Sequence, residues 1–291
     1  MPEVLPCCRR SESLCAASRA VSRVGWGNAG FRRKGSAMRI RVLGSYGSRL
    51  PGYHTSSMLI NDNILLDAGT VTAVLSLAEQ ATIDHVILTH AHLDHVVDLA
   101  FLADNVFTLR TAPLRIWGPE EVLAALRNHL FNNEIWPDFS HIRVRDFPIV
   151  ELLPLAVGRA SEVGGLTLHW ERTNHPVFTA GYLISAQGNT LLHSGDTSIT
   201  GKLWDMGRAA SGLRLAFVET SFPNRLEAIA RASGHLTPEM LKGELAKLDR
   251  PELPIKIFHM KPQFLDEILV ELHDLDDPRL QILHGGEIFH C

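Results

Sequence analysis

The chain has 291 residues, of which 45% are hydrophobic, and a formal net charge of −4 at pH 7. This length allows one sizeable α/β core and excludes two ordinary large domains. No stretch approaches the roughly 18 uninterrupted apolar residues of a membrane span, so we expect no membrane partner. Residues 1–37 contain seven basic and two acidic side chains, a net charge of +5, so residues 38–291 carry −9. An acidic domain argues against binding of long nucleic acids, which requires a basic face.

Residues 1–37 differ in composition from the rest of the chain. They are rich in arginine and serine and poor in acidic residues. This is typical of an organelle transit peptide, and equally of an upstream reading-frame extension. Because Met38 directly precedes the first strand-like run, we favour translation from Met38. In either case we expect residues 1–37 to be a disordered extension, since they lack the apolar periodicity to bury themselves, and residues 38–291 to form the folded domain.

The cysteines indicate the compartment. Three of the four, Cys7, Cys8 and Cys15, lie in the extension, and the folded domain keeps only Cys291. A single cysteine excludes a disulfide framework, so we expect a cytoplasmic protein in a reducing environment.

Short apolar runs near the start of the domain predict β-strands. Residues 40–43, 58–60 and 64–67 are rich in β-branched or aliphatic side chains, and residues 61–63 between the last two are turn formers. This spacing favours strands paired as a meander. Residues 122–126 have the amphipathic pattern of a helix, so the domain is expected to be of the α/β class.

The segment His90-Ala91-His92-Leu93-Asp94-His95 crowds three imidazoles and a carboxylate into six residues. Residues 84–89 before it predict a short buried strand, and residues 96–102 return to helical spacing. Buried polar side chains need partners, and a cation can satisfy all four together. Imidazole and carboxylate ligands suit zinc, iron or manganese, and ligand type does not choose among them. The alternative is a solvated, histidine-rich turn without metal.

The pattern His-x-His-x-Asp-His resembles the signature of the metallo-β-lactamase superfamily. The resemblance implies a four-layer αββα sandwich holding one or two metal ions, and further ligands after later strands. His175 follows an alternating run at residues 166–170, Asp196 follows a run at 190–193, and His259 ends a run at 255–258. With these residues, the resemblance implies two divalent metal ions, and zinc is the metal that we expect. The ligands of one ion would be His90, His92 and His175, those of the other Asp94, His95 and His259, and Asp196 would lie between the two ions.

Further segments resemble a narrower branch, the class II cyclic-nucleotide phosphodiesterases. They are residues 129–139, which include Phe-Asn-Asn-Glu-Ile-Trp-Pro-Asp-Phe, residues 233–241 and residues 259–262, with Leu93 inside the histidine motif. The chain departs from that family at Val97-Asp98, where glycine or serine is common. The resemblance spans about residues 39–290. It implies hydrolysis of cyclic AMP or cyclic GMP to the 5′-nucleotide by a water that two metal ions activate, with Asp94 part of the catalytic centre.

Four more residues are candidates for contact with the substrate. His235 lies just before a helix predicted to begin at Thr237-Pro238-Glu239, where an anion is favoured. His235 can bind the phosphate there or protonate the leaving oxygen as a catalytic residue, and the alternative is an ordinary capping-loop histidine. Thr237 shares that helix start, and Lys261 can neutralise phosphate charge. Trp136 can stack on a purine base and can belong to a packed aromatic loop, and the two roles are compatible.

Other functions remain open at this stage. The same centre can cleave another ester, such as a thioester or lactone, and ribonuclease Z shares the ligand set, although no basic, glycine-rich insertion that would hold tRNA is found. A non-catalytic metal-binding protein is the alternative outside enzymes. The expected partner is a small phosphodiester substrate, and a homodimer is compatible with the sequence. His54 and His284 have no assigned role.

Overall fold

The computed structural model describes residues 37–291. Apart from Ala37, the extension predicted over residues 1–37 therefore lies outside the described residues. None of the helices in the described part is long and apolar enough to cross a membrane.

The described residues form sixteen strands and eight α-helices. The strands are β1 (Arg39–Gly44), β2 (Ser57–Ile60), β3 (Ile64–Leu66), β4 (His85–Ile87), β5 (Leu114–Gly118), β6 (Arg143–Val144), β7 (Phe147–Pro148), β8 (Val150–Pro154), β9 (Ser161–Val163), β10 (Leu166–Arg172), β11 (Ala180–Ala186), β12 (Asn189–His193), β13 (Leu213–Glu219), β14 (Ile255–Phe258), β15 (Leu280–Ile282) and β16 (Ile288–His290). The helices are α1 (Leu77–Ala81), α2 (Leu93–Val96), α3 (Leu99–Val106), α4 (Glu120–His129), α5 (Lys202–Ala209), α6 (Glu227–Ser233), α7 (Pro238–Leu248) and α8 (Leu265–Asp274).

The strands form two seven-stranded sheets. The first has the order β16-β1-β2-β3-β4-β5-β8 and the second β15-β14-β13-β12-β11-β10-β9, while β6 and β7 form a small hairpin. β1, β2 and β3 pair antiparallel in sequence order, which confirms the predicted meander. From β3 to β8 in the first sheet, and from β12 to β15 in the second, the pairing is parallel.

Three hydrophobic clusters define four layers. The inner cluster joins Ile40 and Ile64 of the first sheet to Tyr182 and Phe217 of the second. One outer cluster packs α3 and α4 on the first sheet, and the other packs α5, α7 and α8 on the second. The predicted αββα sandwich is confirmed. Because parallel strands end at one edge of their sheet, the loops after β3, β4, β12, β13 and β14 collect side chains at that edge.

Candidate metal centre

The histidine motif turns from extended chain into a helix within six residues. β4 ends at Ile87, and His92 is the extended N-cap of the short helix α2. In an extended segment, alternate side chains point to the same side, so the rings of His90 and His92 lie together, 4.8 Å apart between centroids. The helix then turns Asp94 and His95 toward a neighbouring position.

One group of potential ligands comprises His90, His92, His175 and Asp196, whose ligand atoms all lie within 4.8 Å of one another. His175 follows β10, and its Nε2 lies 3.1 Å from Nδ1 of His92. Asp196 follows β12 through Gly195, which has a φ of +59° and no room for a side chain, since a Cβ there would lie 2.7 Å from the carbonyl oxygen of Ala180. Position 195, where the chain enters the site, can therefore be occupied only by glycine.

A second group comprises Asp94, His95 and His259. His259 follows β14 with a φ of 69°, an uncommon value for a residue with a side chain and one that often occurs at functional sites. Its Nε2 lies 3.2 Å from Nε2 of His95 and 3.3 Å from Oδ2 of Asp94. A third grouping of Asp196 and His259 also includes His235, so His235 lies beside the same centre.

Asp196 lies between the two groups. Its Oδ2 is 3.5 Å from Nε2 of His90 in the first group, and 3.4 Å and 3.3 Å from Nε2 of His95 and His259 in the second. Among the described residues, the buried Nε2 of His90 and Oδ1 of Asp196 have no hydrogen-bond partner. Unpartnered buried polar atoms are costly, and a cation would satisfy them. The site therefore fits divalent metal ions, and its nitrogen and oxygen donors do not choose which.

The burial of these groups sets their charge states. Burial lowers the pKa of His90 well below its usual value, which keeps the ring neutral and able to bind a cation. Burial would raise the pKa of Asp196, but the charges of His259, His95 and His90 outweigh it and hold that pKa well below its usual value. Asp196 is thus ionised, which is the form in which a carboxylate binds a cation.

Asp67, which the sequence did not predict as a site residue, holds one ligand of the centre in place. It follows β3 with a φ of 56°. Its carboxylate accepts hydrogen bonds from Thr89 N and Oγ1, both at 2.8 Å, and pairs with Nδ1 of His95 at 2.7 Å. A carboxylate on the far ring nitrogen fixes the orientation and tautomer of a metal-binding histidine. The only available signal was an acidic residue that ends the apolar run of residues 64–66.

Glu219 performs a related role for His235 and was also missed. It is fully buried at the end of β13, and its Oε1 pairs with Nδ1 of His235 at 2.8 Å. Ser221 links the pair to the centre, because its Oγ lies 2.9 Å from Oε2 of Glu219 and 2.9 Å from Nδ1 of His259. Burial alone would lower the pKa of His235, but the charge and hydrogen bond of Glu219 raise it above its usual value. His235 is therefore equipped to carry a proton.

The other predicted contacts have different surroundings. Thr237 is fully buried, and its Oγ1 accepts a hydrogen bond from Met240 N as the predicted cap of α7. Trp136 packs against Phe101 and Phe139, with ring centroids at 5.2 and 6.4 Å, which is the packed aromatic loop. Lys261 lines a cleft next to Asp94, and its Nζ donates to the carbonyl of Gly47 at 2.9 Å. The structure thus brings Lys261 to the centre and assigns Thr237 and Trp136 contacts inside the protein.

His54 and His284 do not join any potential ligand group in residues 37–291. The carbonyl of His54 accepts hydrogen bonds from the backbone of Ser45 and Tyr46. Nδ1 of His284 lies 3.3 Å from the hydroxyl of Tyr46. Both contacts are compatible with a structural role near β1.

Comparison with known proteins agrees with this architecture. A family model described as a beta-lactamase superfamily domain matches residues 62–284. A protein of Yersinia pestis named a probable 3′,5′-cyclic-nucleotide phosphodiesterase is 24% identical over 283 residues, covering 79% of this chain and 80% of its own length. The 3′,5′-cyclic-nucleotide phosphodiesterase 1 of Saccharomyces cerevisiae is 26% identical over 246 residues, covering 69% of this chain and 66% of its own length.

Solved structures show the same fold. The unliganded yeast PDE1 structure superposes with a TM-score of 0.75 at 18% identity, covering 88% of this chain and all of that one. The short form of human tRNase Z superposes with a TM-score of 0.63 at 16% identity, covering 86% and 98% of the two chains. Because the family model spans most of the chain, and the resemblance first drawn from the histidine motif points the same way, the chain belongs to the metallo-β-lactamase superfamily of hydrolases.

Proposed function

We propose that the chain is a metal-dependent phosphodiesterase that hydrolyses a small cyclic nucleotide, cyclic AMP or cyclic GMP, to the 5′-nucleotide. The convergence of seven ligand-type side chains, with Asp196 between the other six, carries this proposal. The cyclic-nucleotide phosphodiesterases among its relatives supply the substrate class. We propose zinc as the metal, with manganese or iron as alternatives.

The ligands divide as the resemblance implies. His90, His92 and His175 would hold one ion, Asp94, His95 and His259 the other, and Asp196 would contact both. When bound, two such cations supply positive charge for the phosphate and lower the pKa of a water molecule. The protein orients these ligands through Asp67, which holds the far ring nitrogen of His95.

His235 is proposed to protonate the departing 3′ oxygen. The hydrogen bond that Nδ1 donates to Oε1 of Glu219 leaves Nε2 as the ring nitrogen available to the substrate. A general acid works best when it holds its proton near the working pH, and the raised pKa of His235 serves that purpose. Lys261 adds a positive charge at the Asp94 side of the centre.

A panel of substrates tests the proposal. The protein, reconstituted with zinc or manganese, is offered cyclic AMP, cyclic GMP, bis(p-nitrophenyl) phosphate, a β-lactam, a lactone and an acyl thioester. We expect the highest kcat/KM for a cyclic nucleotide, and loss of that activity in chelator. Hydrolysis of the thioester or lactone without turnover of either cyclic nucleotide would overturn the proposal.

A further inference from the structure

A cleft of about 450 Å³ opens beside the second ligand group. It is lined by Asp94 together with Gly47, Ser48, Arg49, Thr55, Leu93, Val97 and Lys261. Its volume lies in the range of small-molecule sites. Because Asp94 both lines this cleft and belongs to the second ligand group, a ligand whose phosphate lies at the metal centre can extend its remaining atoms into the cleft.

Arg49 is held in the cleft by contacts that leave part of its guanidinium free. Its Nη2 donates to the carbonyl of Gly69 at 3.2 Å and lies 3.5 Å from Oδ1 of Asp98. Asp98 is itself fixed, because its Oδ2 accepts hydrogen bonds from Val71 N at 2.7 Å and Thr72 N at 2.8 Å. Within residues 37–291, Nε, Nη1 and the second N–H of Nη2 of Arg49 have no hydrogen-bond partner, so one pair of neighbouring donors remains free, and 48% of the side chain is exposed.

The other walls suit a flat ring and a phosphate. Leu93 is 68% exposed, and one turn further along the chain Val97 also faces the cleft, so together they form an apolar wall. Lys261 contributes a second cation, but its ammonium is already held by the carbonyl of Gly47 and the face of Phe222, 5.4 Å away. The cleft therefore combines an apolar face with a fixed fork of N–H donors.

We propose that this cleft binds the nucleoside of the substrate and that Arg49 selects guanine, an inference that rests on the proposed function. Guanine presents two acceptors side by side, O6 and N7, which an arginine fork can bind in bidentate fashion. Adenine presents N7 beside the N6 donor, which would oppose the N–H groups of Arg49. Leu93 and Val97 would contact the ring face, and the phosphate would lie at the Asp94 end.

Three variants test this assignment by the ratio of kcat/KM for cyclic GMP to that for cyclic AMP. We expect the wild-type ratio to be about fivefold or more, the lower part of the range for a bidentate arginine–guanine pair, because Arg49 is half-exposed. Arg49→Lys keeps the charge beside Asp98 but loses the planar fork, so its ratio should fall below that of the wild type. Arg49→Gln should move the ratio below one, since an amide can pair with N6 and N7 of adenine.

Arg115→Gln is the matched control. Arg115 is 40% exposed and also pairs with a carboxylate, Glu151, but it lies at the start of β5, away from the edge that carries the centre. Its ratio should equal that of the wild type. Unchanged melting temperature and metal content in the Arg49 variants would exclude misfolding as the cause of a change.

The outcomes separate this inference from the proposed function. The inference alone would be overturned if the wild type hydrolysed both nucleotides with a cyclic GMP to cyclic AMP ratio of kcat/KM of one or less. It would also be overturned if the Arg49 variants lowered kcat/KM equally for both substrates, because Arg49 would then be a phosphate contact. Binding of 5′-GMP and 5′-AMP by calorimetry gives a readout without turnover. Tighter, Arg49-dependent binding of 5′-GMP without cyclic-nucleotide hydrolysis would support the base site and overturn the proposed function, and neither binding nor hydrolysis would overturn both.

Discussion

Asp196 lies within 3.5 Å of ring nitrogens in both ligand groups. We expect Asp196→Ala to reduce the metal content from about two ions per chain to one or fewer, because neither ion keeps its full set of ligands. Elemental analysis of the purified protein measures this. Asp205→Ala is the control, since Asp205 is exposed on α5 and pairs only with Arg208. Two ions retained in Asp196→Ala would contradict the bridging assignment.

For His235, a catalytic role and a structural role predict different kinetic effects of the same substitution. If it protonates the leaving oxygen, His235→Ala should lower kcat for the cyclic nucleotide by about 10²- to 10⁴-fold while the metal content stays intact. The loss should be smaller with bis(p-nitrophenyl) phosphate, whose leaving group departs without a proton.

Two results would change the assignment of His235. Nearly normal turnover of both substrates would leave it as a capping-loop residue. Loss of metal in the variant would make it a ligand, consistent with its place beside Asp196 and His259, and His259 would then be the residue to reassign. Glu219→Gln is a useful companion variant, because it removes the charge that raises the pKa of His235 but retains a side chain of similar shape.

The sequence predicted the residues that carry a recognisable spacing. His90, His92, Asp94 and His95 lie in one motif, and His175, Asp196 and His259 each follow a strand-like run. Asp67 and Glu219 could not be predicted, since a lone acidic residue after an apolar run has many explanations. Their importance arises from hydrogen bonds to side chains distant in the sequence. The chain departs from the family pattern at two neighbouring residues. Val97 lines the cleft, and Asp98 contacts Arg49.

At the scale of single elements, Thr237 at the start of α7 can cap the helix or contact the substrate, and substitutions distinguish the two roles. Thr237 is fully buried, and its hydroxyl caps the helix. We expect Thr237→Ala to lower the free energy of unfolding by about 1 kcal/mol, the usual value of an N-cap. Thr237→Ser keeps the hydroxyl and should retain most of that stability in urea unfolding. A raised KM without loss of stability in Thr237→Ala would instead support the predicted substrate contact.

β12 gives the domain a pH-dependent stability. Burial lowers the pKa of His193 at the end of this strand to about 4, from an ordinary value of 6.5. Between these values the unfolded chain binds a proton that the folded protein does not, so stability is lost as the pH falls from 6.5 toward 4. The loss is on the order of 1.4 kcal/mol per pH unit for one proton.

His193→Asn tests this slope. The asparagine oxygen can replace Nδ1, which accepts a hydrogen bond from Gly195 N at 3.1 Å, and it does not titrate. We expect the variant to be less stable at pH 8, because contacts with Phe258 are lost, but to lose less stability than the wild type on acidification. Urea unfolding at several pH values measures both, and identical slopes would contradict the assignment.

Strand and helix positions were more predictable than their surroundings. The apolar runs predicted β1 to β4, β10, β12 and β14, because alternation and strand length are local properties. The surroundings of Trp136 are not local, since it packs against Phe101, which lies 35 residues earlier in the chain. The sequence alone left both roles open for that reason.

At the scale of the whole molecule, the start of the folded domain at Met38 pairs with residue Cys291. The backbone of Met38 exchanges two hydrogen bonds with Cys291, at 2.7 and 2.9 Å. We expect deletion of residues 1–37 to leave the melting temperature and kcat essentially unchanged, since all the candidate site residues and this pairing remain. Deletion of residues 1–44 is the control and should unfold the domain, because it removes β1. A large drop in melting temperature for the shorter deletion would show that residues 1–37 stabilise the domain.

Each ligand group draws on both halves of the sandwich. His95 follows a strand of the first sheet and His259 follows one of the second, 164 residues later. Neither ligand group is therefore complete until the two sheets have packed together during folding. Any ion held here favours the docked state over every partly folded one, by about 2.7 kcal/mol when its free concentration is a hundred times its Kd. The metal supply of the cell would then set how much of the newly made chain reaches its folded form, in addition to how much of the folded protein is active.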